Sequence, residues 1–227
     1  MKAKFVFTLL LASVIGTVAA RAADERADAV TQVESCEAIL RQFMAVPADA
    51  IPSQVLHAAR GILITNQFKA GFIFGVKGGY GVLMVRQASG HWSLPVIVRA
   101  DEASLGFQAG AKSVETVYIF TNDQTPHLLF RQRFDIGVDA KAVAGPHTAE
   151  YERFNKPLLY APVLVYSKSS GLFAGATFKA AQIARDDKAN FILYHTSYEM
   201  PELLYSDWVQ PPDEVKPLMA FVQQITQ

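Results

Sequence analysis

From residue 62 to residue 166 the apolar and β-branched side chains recur at every second position or in short unbroken runs, a pattern that commits this stretch to a sheet. Successive side chains of a strand point to opposite faces, so alternation buries one face and a continuous run buries both. Residues 62–65, 71–86, 94–99, 104–112, 114–120 and 158–166 are the predicted strands, and residues 171–183 and 191–194 complete the set. Residues 71–86 read as a hairpin turning at Lys77-Gly78-Gly79, because glycine supplies the positive φ of tight turns. Residues 126–134 fit a strand or a short helix.

Helical spacing flanks this block. Val30, Val33, Leu40 and Phe43, with Cys36 and Ile39 alongside, recur on one side of a helix that Pro47 ends, leaving Glu34, Glu37 and Arg41 on the other. A short second helix starts near Pro52, with Val55, Leu56 and Ala59 inward and Gly61 beyond its end. Leu218, Phe221, Val222 and Ile225 form a C-terminal apolar stripe. No Ser/Pro-rich linker divides the chain, so the expected fold is one α+β domain: a largely antiparallel sheet or sandwich with an N-terminal helical segment and a C-terminal helix.

The first residues predict export. Lys2 and Lys4 precede an uncharged apolar run over residues 5–18, and Ala20-Arg21-Ala22 offers small residues where a signal peptidase reads. Cleavage between Ala22 and Ala23 is expected, which divides the chain into a signal peptide, 1–22, and one domain, 23–227. The run is short for an uncleaved anchor, and the expected location is periplasmic or secreted. Three of the 21 basic residues fall in residues 1–22 with no acidic one, leaving 18 against 21 acidic and a formal charge of −3 beyond the leader. A nucleic-acid partner is not expected from a chain without a basic surplus. One Cys cannot close an intramolecular disulfide, so a core must supply the stability.

Three pentads share glycines four residues apart: Gly71 to Gly75, Gly106 to Gly110 and Gly171 to Gly175. Within a strand each would strip two side chains from one face, about 13 Å apart. Phe72 and Phe74 would flank the first, and Phe173 would sit in the third. Two explanations stand side by side: a tightly curved sheet with helices packed close, or an apolar groove floored by glycine and walled by aromatics.

Catalytic patterns are sparse. There is no Gly-x-Ser-x-Gly elbow, and the five His are scattered without metal-ligand spacing. Cys36, on the apolar side of a helix, reads as a core residue. Gly75-Val-Lys-Gly-Gly-Tyr-Gly81 lacks the Gly-Lys-Ser/Thr ending of a phosphate loop; as a hairpin tip, its amides with Lys77 would hold one phosphate of a lipid headgroup. No catalytic residue, metal site or cofactor is expected.

An ordered set of phrases resembles the SYLF domain family over roughly residues 35–227. They are Ala59-Arg60-Gly61-Ile62, Gly79-Tyr80-Gly81-Val82 leading to Arg86, Gly90-His91-Trp92-Ser93-Leu94-Pro95, Ala144-Gly145-Pro146, Tyr166-Ser167-Lys168 and the three pentads. The resemblance implies a mixed fold of antiparallel β-structure with helices. It also implies lipid binding: phosphoinositides through a basic amphipathic N-terminal helix in eukaryotic members, some of which bind actin, and exported lipid-binding proteins among bacterial ones. Here the first helix sets Glu34 and Glu37 against Arg41, so anionic lipid gains little from it, and actin is not an expected partner. The expected function is non-enzymatic binding of a phospholipid or phosphoinositide-like lipid at a membrane surface of the cell envelope, by Lys69, Phe72, Phe74, Lys77, Arg86, Trp92 and Phe173. Lys168 is a further basic residue near the strand ends, and Trp92 reads as an interfacial anchor or as a core Trp. The alternative is an envelope interaction protein with a protein partner and no lipid ligand.

Overall fold

The computed structural model describes residues 2–70, 76–102, 112–131, 133–137, 139–151, 160–169 and 181–227. Helix α1 (Lys2–Met44) and the short α2 (Ser53–Ala58) precede β1 (Gly61–Ala70), β2 (Val76–Val85), β3 (Val96–Glu102) and β4 (Lys112–Phe120). Then come α3 (Gln124–His127), a 3₁₀ turn (Leu128–Phe130), β5 (Arg133–Ile136), β6 (Ala142–Ala144), α4 (Thr148–Tyr151), β7 (Val163–Ser169) and β8 (Ala181–Arg185). Helices α5 (Asp187–Tyr194), α6 (Met200–Tyr205) and α7 (Lys216–Ile225), the last preceded by a 3₁₀ turn (Asp213–Val215), close the chain.

The strands form one sheet in the order β5-β8-β3-β2-β1-β4-β7-β6, antiparallel except for the β6–β7 pair. The predicted α+β class with an antiparallel sheet holds. The apolar side of α1 (Ala29, Val33, Cys36, Leu40 and Phe43) is buried, and the helix packs across β1, β2 and β3 with α5 and α7 beside it. That side is therefore spent on the core.

The sheet has unlike ends. At one end Ile62, Leu63, Ile64 and their register partners Val82, Leu83, Met84, Val117, Tyr118 and Ile119 are buried on both faces. Toward the other end polar residues enter, beginning with Thr65, Asn66 and Gln67 on the central strand. The chain leaves or enters β1, β2, β3, β4, β7 and β8 at this polar end through residues 71–75, 103–111 and 170–180, which lie outside the described residues.

Several predicted elements are corrected. Lys77-Gly78-Gly79 is no turn: it lies inside β2, opposite Lys69, Phe68 and Gln67 of β1, and the connection falls at residues 71–75. Residues 191–194 belong to α5, because Asp186 caps the helix by accepting from the Ala189 amide, and His195 ends it in the left-handed region. A four-residue apolar run cannot by itself distinguish a strand from one helical turn. The ambiguous stretch 126–134 contains both answers: the end of α3, the 3₁₀ turn, and the start of β5. Most of 104–112 and 171–183 and the start of 158–166 lie outside the described residues; β4 begins at Lys112, β8 at Ala181 and β7 at Val163.

Candidate functional site

The register separates the sequence-predicted site residues into two groups. At the polar end Lys69 of β1 lies opposite Lys77 of β2 on one side and Lys112 of β4 on the other, so three lysines share one rung of three adjacent strands. Lys112 was not among the predicted residues, because a single Lys at a strand start carries no signal until the register is known. Phe72, Phe74 and Phe173 and all six pentad glycines lie outside the described residues.

Arg86 and Trp92 belong to the opposite end of the sheet, nine or more residues along from Lys77 and so roughly 30 Å away by strand rise. Here they hold the C-terminal residues. The Trp92 Nε1–H donates to Thr226 Oγ1 at 2.8 Å, and Trp92 is buried. Arg86 donates through Nη2 to the Thr226 carbonyl (2.7 Å) and through Nη1 to the His57 carbonyl (3.1 Å), with its guanidinium over the Trp92 ring. Burial first, then the neighbouring Arg60, lowers the Arg86 pKa. Trp92 is thus a core Trp and no interfacial anchor. Lys168 is also occupied, donating to the Gln42 carbonyl (2.8 Å) at the C-terminal end of α1 and lying over Phe43. Ala22 and Ala23 fall within α1.

Two to four rungs below the lysines lies a buried polar layer that the strand pattern did not single out. Thr65, Gln67 and Thr116 are buried, and Thr116 Oγ1 is 3.1 Å from Ser167 Oγ. Thr65 Oγ1 and Gln67 Nε2 have no hydrogen-bond partner. An orphaned buried donor costs about 1–3 kcal/mol. On the α1 side Asn66 donates to the Tyr80 hydroxyl (3.3 Å), which donates to Ser35 (2.8 Å). The signal in the sequence is Thr65-Asn66-Gln67 interrupting an apolar run in the central strand.

Gly79 and Gly81 of β2 leave no groove, whereas the position of Gly78 is open. A Cβ on Gly79 would lie 2.6 Å from the Asn66 carbonyl oxygen and 2.8 Å from that of Ala100, and one on Gly81 would lie 2.5 Å from that of Ile64. Neighbouring backbone fills that space, the close-approach use of strand glycine.

Other phrases of the sequence also read as scaffold. A Cβ on Gly145 would sit 2.2 Å from the Tyr166 ring, which couples Ala144-Gly145-Pro146 to Tyr166-Ser167-Lys168. Gly90 turns the chain at φ +86°, and Ser93 Oγ accepts from the Val85 amide while donating to the Leu94 carbonyl. Cys36 is fully buried, and burial pushes its thiol well above the ordinary range. Among the described residues no group of three or more His, Cys, Asp or Glu is placed to hold a metal ion, and no helix is long and apolar enough to cross a membrane.

A family model described as Ysc84, Las17-binding protein actin regulator, matches residues 101–225. LAS seventeen-binding protein 3 of Saccharomyces cerevisiae is 31% identical over 176 residues, 76% of this chain and 38% of that protein. SH3 domain-containing YSC84-like protein 1 of Homo sapiens is 26% identical over 187 residues, 80% of this chain and 55% of that protein. The SH3 domain-containing protein PJ696.02 of Schizosaccharomyces pombe is 30% identical over 166 residues, 72% of this chain and 39% of that protein. The chain therefore spans from 38% to 55% of the length of these relatives. With more than half of its residues matched by the family model, this chain belongs to the Ysc84 (SYLF) domain family.

Proposed function

We propose that the chain is a non-enzymatic lipid-binding module, exported by the leader at residues 1–22, that holds an anionic phospholipid headgroup at the polar end of its sheet. The observation that carries this reading is the lysine rung. Like charges placed directly across strands destabilise a sheet, so Lys77, Lys69 and Lys112 on one rung are best explained by a negative guest. The orphaned Gln67 Nε2, two rungs inward, and Thr65 Oγ1, four rungs inward, supply hydrogen-bonding capacity for its polar atoms. Anionic lipid gains about 1 kcal/mol for each Lys near the surface. Because the apolar side of α1 is buried in the core, headgroup binding here does not use an amphipathic first helix.

A second reading, an interaction protein with no lipid ligand, is favoured by the family's description and by the name of the yeast relative, both of which specify binding to Las17. These names weigh against dismissing actin-pathway partners, and a protein partner stands as the alternative function.

Mass spectrometry of organic extracts of the purified chain, with flotation on vesicles of phosphatidylglycerol and on vesicles of phosphatidylcholine, separates the two. Recovered phospholipid and flotation with phosphatidylglycerol are expected. No recovered lipid and no flotation with either vesicle would overturn the lipid reading in favour of the interaction protein.

A further inference from the structure

Helix α6 is framed by aromatic side chains that the core does not use. Trp208 is 67% exposed and lies against Tyr198, itself 42% exposed, with ring centroids 5.3 Å apart and the rings tilted at 54°. Tyr205, 41% exposed, sits between His127 at 5.2 Å and Phe130 at 5.8 Å. Apolar surface clustered in this way marks an interaction site, whereas single exposed hydrophobes do not.

The charge around these rings is negative in sum. From Arg185 to Lys216 the chain holds seven acidic side chains and three basic ones; Lys188 is bonded to Glu25, Asp213 is paired with Lys216, and Glu214 is paired with Arg26. Asp207 adjoins Trp208 and is exposed. Glu199 and Glu202 form the capping box at the start of α6. Burial first, then the nearby Asp123, raises the Tyr205 hydroxyl pKa, and Asp123 is paired with Arg60 at 3.9 Å. Of the neighbouring cations, Arg185 is already shared by Asp187 and Glu199, and Arg131 is exposed.

Exposed aromatic faces within an acidic field suit guanidinium and ammonium groups, through cation–π contact with the rings and charge pairing with the carboxylates. The same field repels an anionic bilayer. We infer that the surface formed by Tyr198, Tyr205 and Trp208 around α6, with Asp207 and Asp123, docks a Lys/Arg-rich polypeptide segment of another protein. This surface is separate from the lysine rung and does not depend on lipid binding there.

Fluorescence anisotropy of a labelled peptide alternating Arg and Gly, with its Glu-for-Arg counterpart as control, tests this on the full chain. Saturable binding of the arginine peptide alone is expected, weakening as salt rises. Trp208→Ala and Tyr198→Ala should each weaken it by about tenfold or more, the loss typical of an aromatic anchor. Trp208→Phe should restore most of it, and Asp207→Lys should weaken it in the same direction. These positions are exposed, so an unchanged melting profile is expected of each variant and certifies its fold. Three results would each overturn the inference. They are no saturable binding up to about millimolar peptide, the weakest affinity of biological use; binding indifferent to Trp208→Ala; or Trp208-dependent binding to phosphatidylcholine vesicles in place of the peptide.

Discussion

Gly145 and Tyr166 show how tightly single residues of this chain are matched. A methyl group at position 145 has no space beside the Tyr166 ring, so Gly145→Ala should destabilise the fold by about 2–3 kcal/mol, the usual cost of overpacking. The Tyr166 hydroxyl is buried without a hydrogen-bond partner. Tyr166→Phe should therefore be neutral or stabilising by up to about 1 kcal/mol, since it removes an unsatisfied polar group and keeps the ring. Urea unfolding of the two variants measures both effects. At the other end of the sheet, Thr226→Val would leave the buried Trp92 Nε1–H without its acceptor and should cost about 1–3 kcal/mol. Cys36 should resist thiol reagents in the native chain and react once it is unfolded, because burial removes both access and thiolate. Core placement of Cys36 was visible in the sequence from its apolar neighbours, whereas for Trp92 the sequence left a core and an interfacial reading open. The matching of Gly145 to Tyr166 was not, because 20 residues and a strand pairing separate them.

Among the elements, β3 and α5 illustrate what local patterns leave out. β8 pairs with β3 only as far as Val98, and beyond it the Asn190 side chain takes over. Its Oδ1 accepts from the Ile97 amide and its Nδ2 donates to the Ile97 carbonyl, both at 2.8 Å, as a strand would. Asn190→Ala should cost about 2–4 kcal/mol by leaving two buried backbone groups unpaired, measurable as a lowered urea midpoint. A helix was needed to deliver this amide, and the residues around Phe191 read as a strand only because four apolar positions fit either period. The hairpin at residues 71–86 was misplaced for a related reason. Gly78 and Gly79 were read as turn formers, whereas Gly79 and Gly81 serve the close approach of β1 and β3 to β2. The part of α1 from Val30 to Phe43 was legible in its helical spacing, but its one-sided stripe did not decide between packing on the sheet and lying on a membrane; the structure buries it on the sheet. Amides of residues 29–43 should accordingly be protected from hydrogen exchange to the same extent with and without vesicles.

The whole molecule combines a sheet buried on both faces at one end with a polar, lysine-bearing end at the other. Antiparallel strands of apolar alternation made the sheet legible, but no sequence pattern states which strands are neighbours. The rung of Lys77, Lys69 and Lys112 exists only because β1 lies between β2 and β4. The sequence-predicted lipid site combined residues of both ends, and the structure keeps Lys69 and Lys77 together while assigning Arg86 and Trp92 to the C-terminal clamp. The most direct measurement is a titration of phosphatidylglycerol vesicles with the wild-type chain and with the combined Lys69→Gln, Lys77→Gln, Lys112→Gln variant, whose fold is checked by a melting temperature no lower than that of the wild type, as removal of the cross-strand repulsion requires. At about 1 kcal/mol for each lysine, the variant should bind about a hundredfold more weakly. Equal affinity of the two chains would contradict headgroup binding at this end of the sheet.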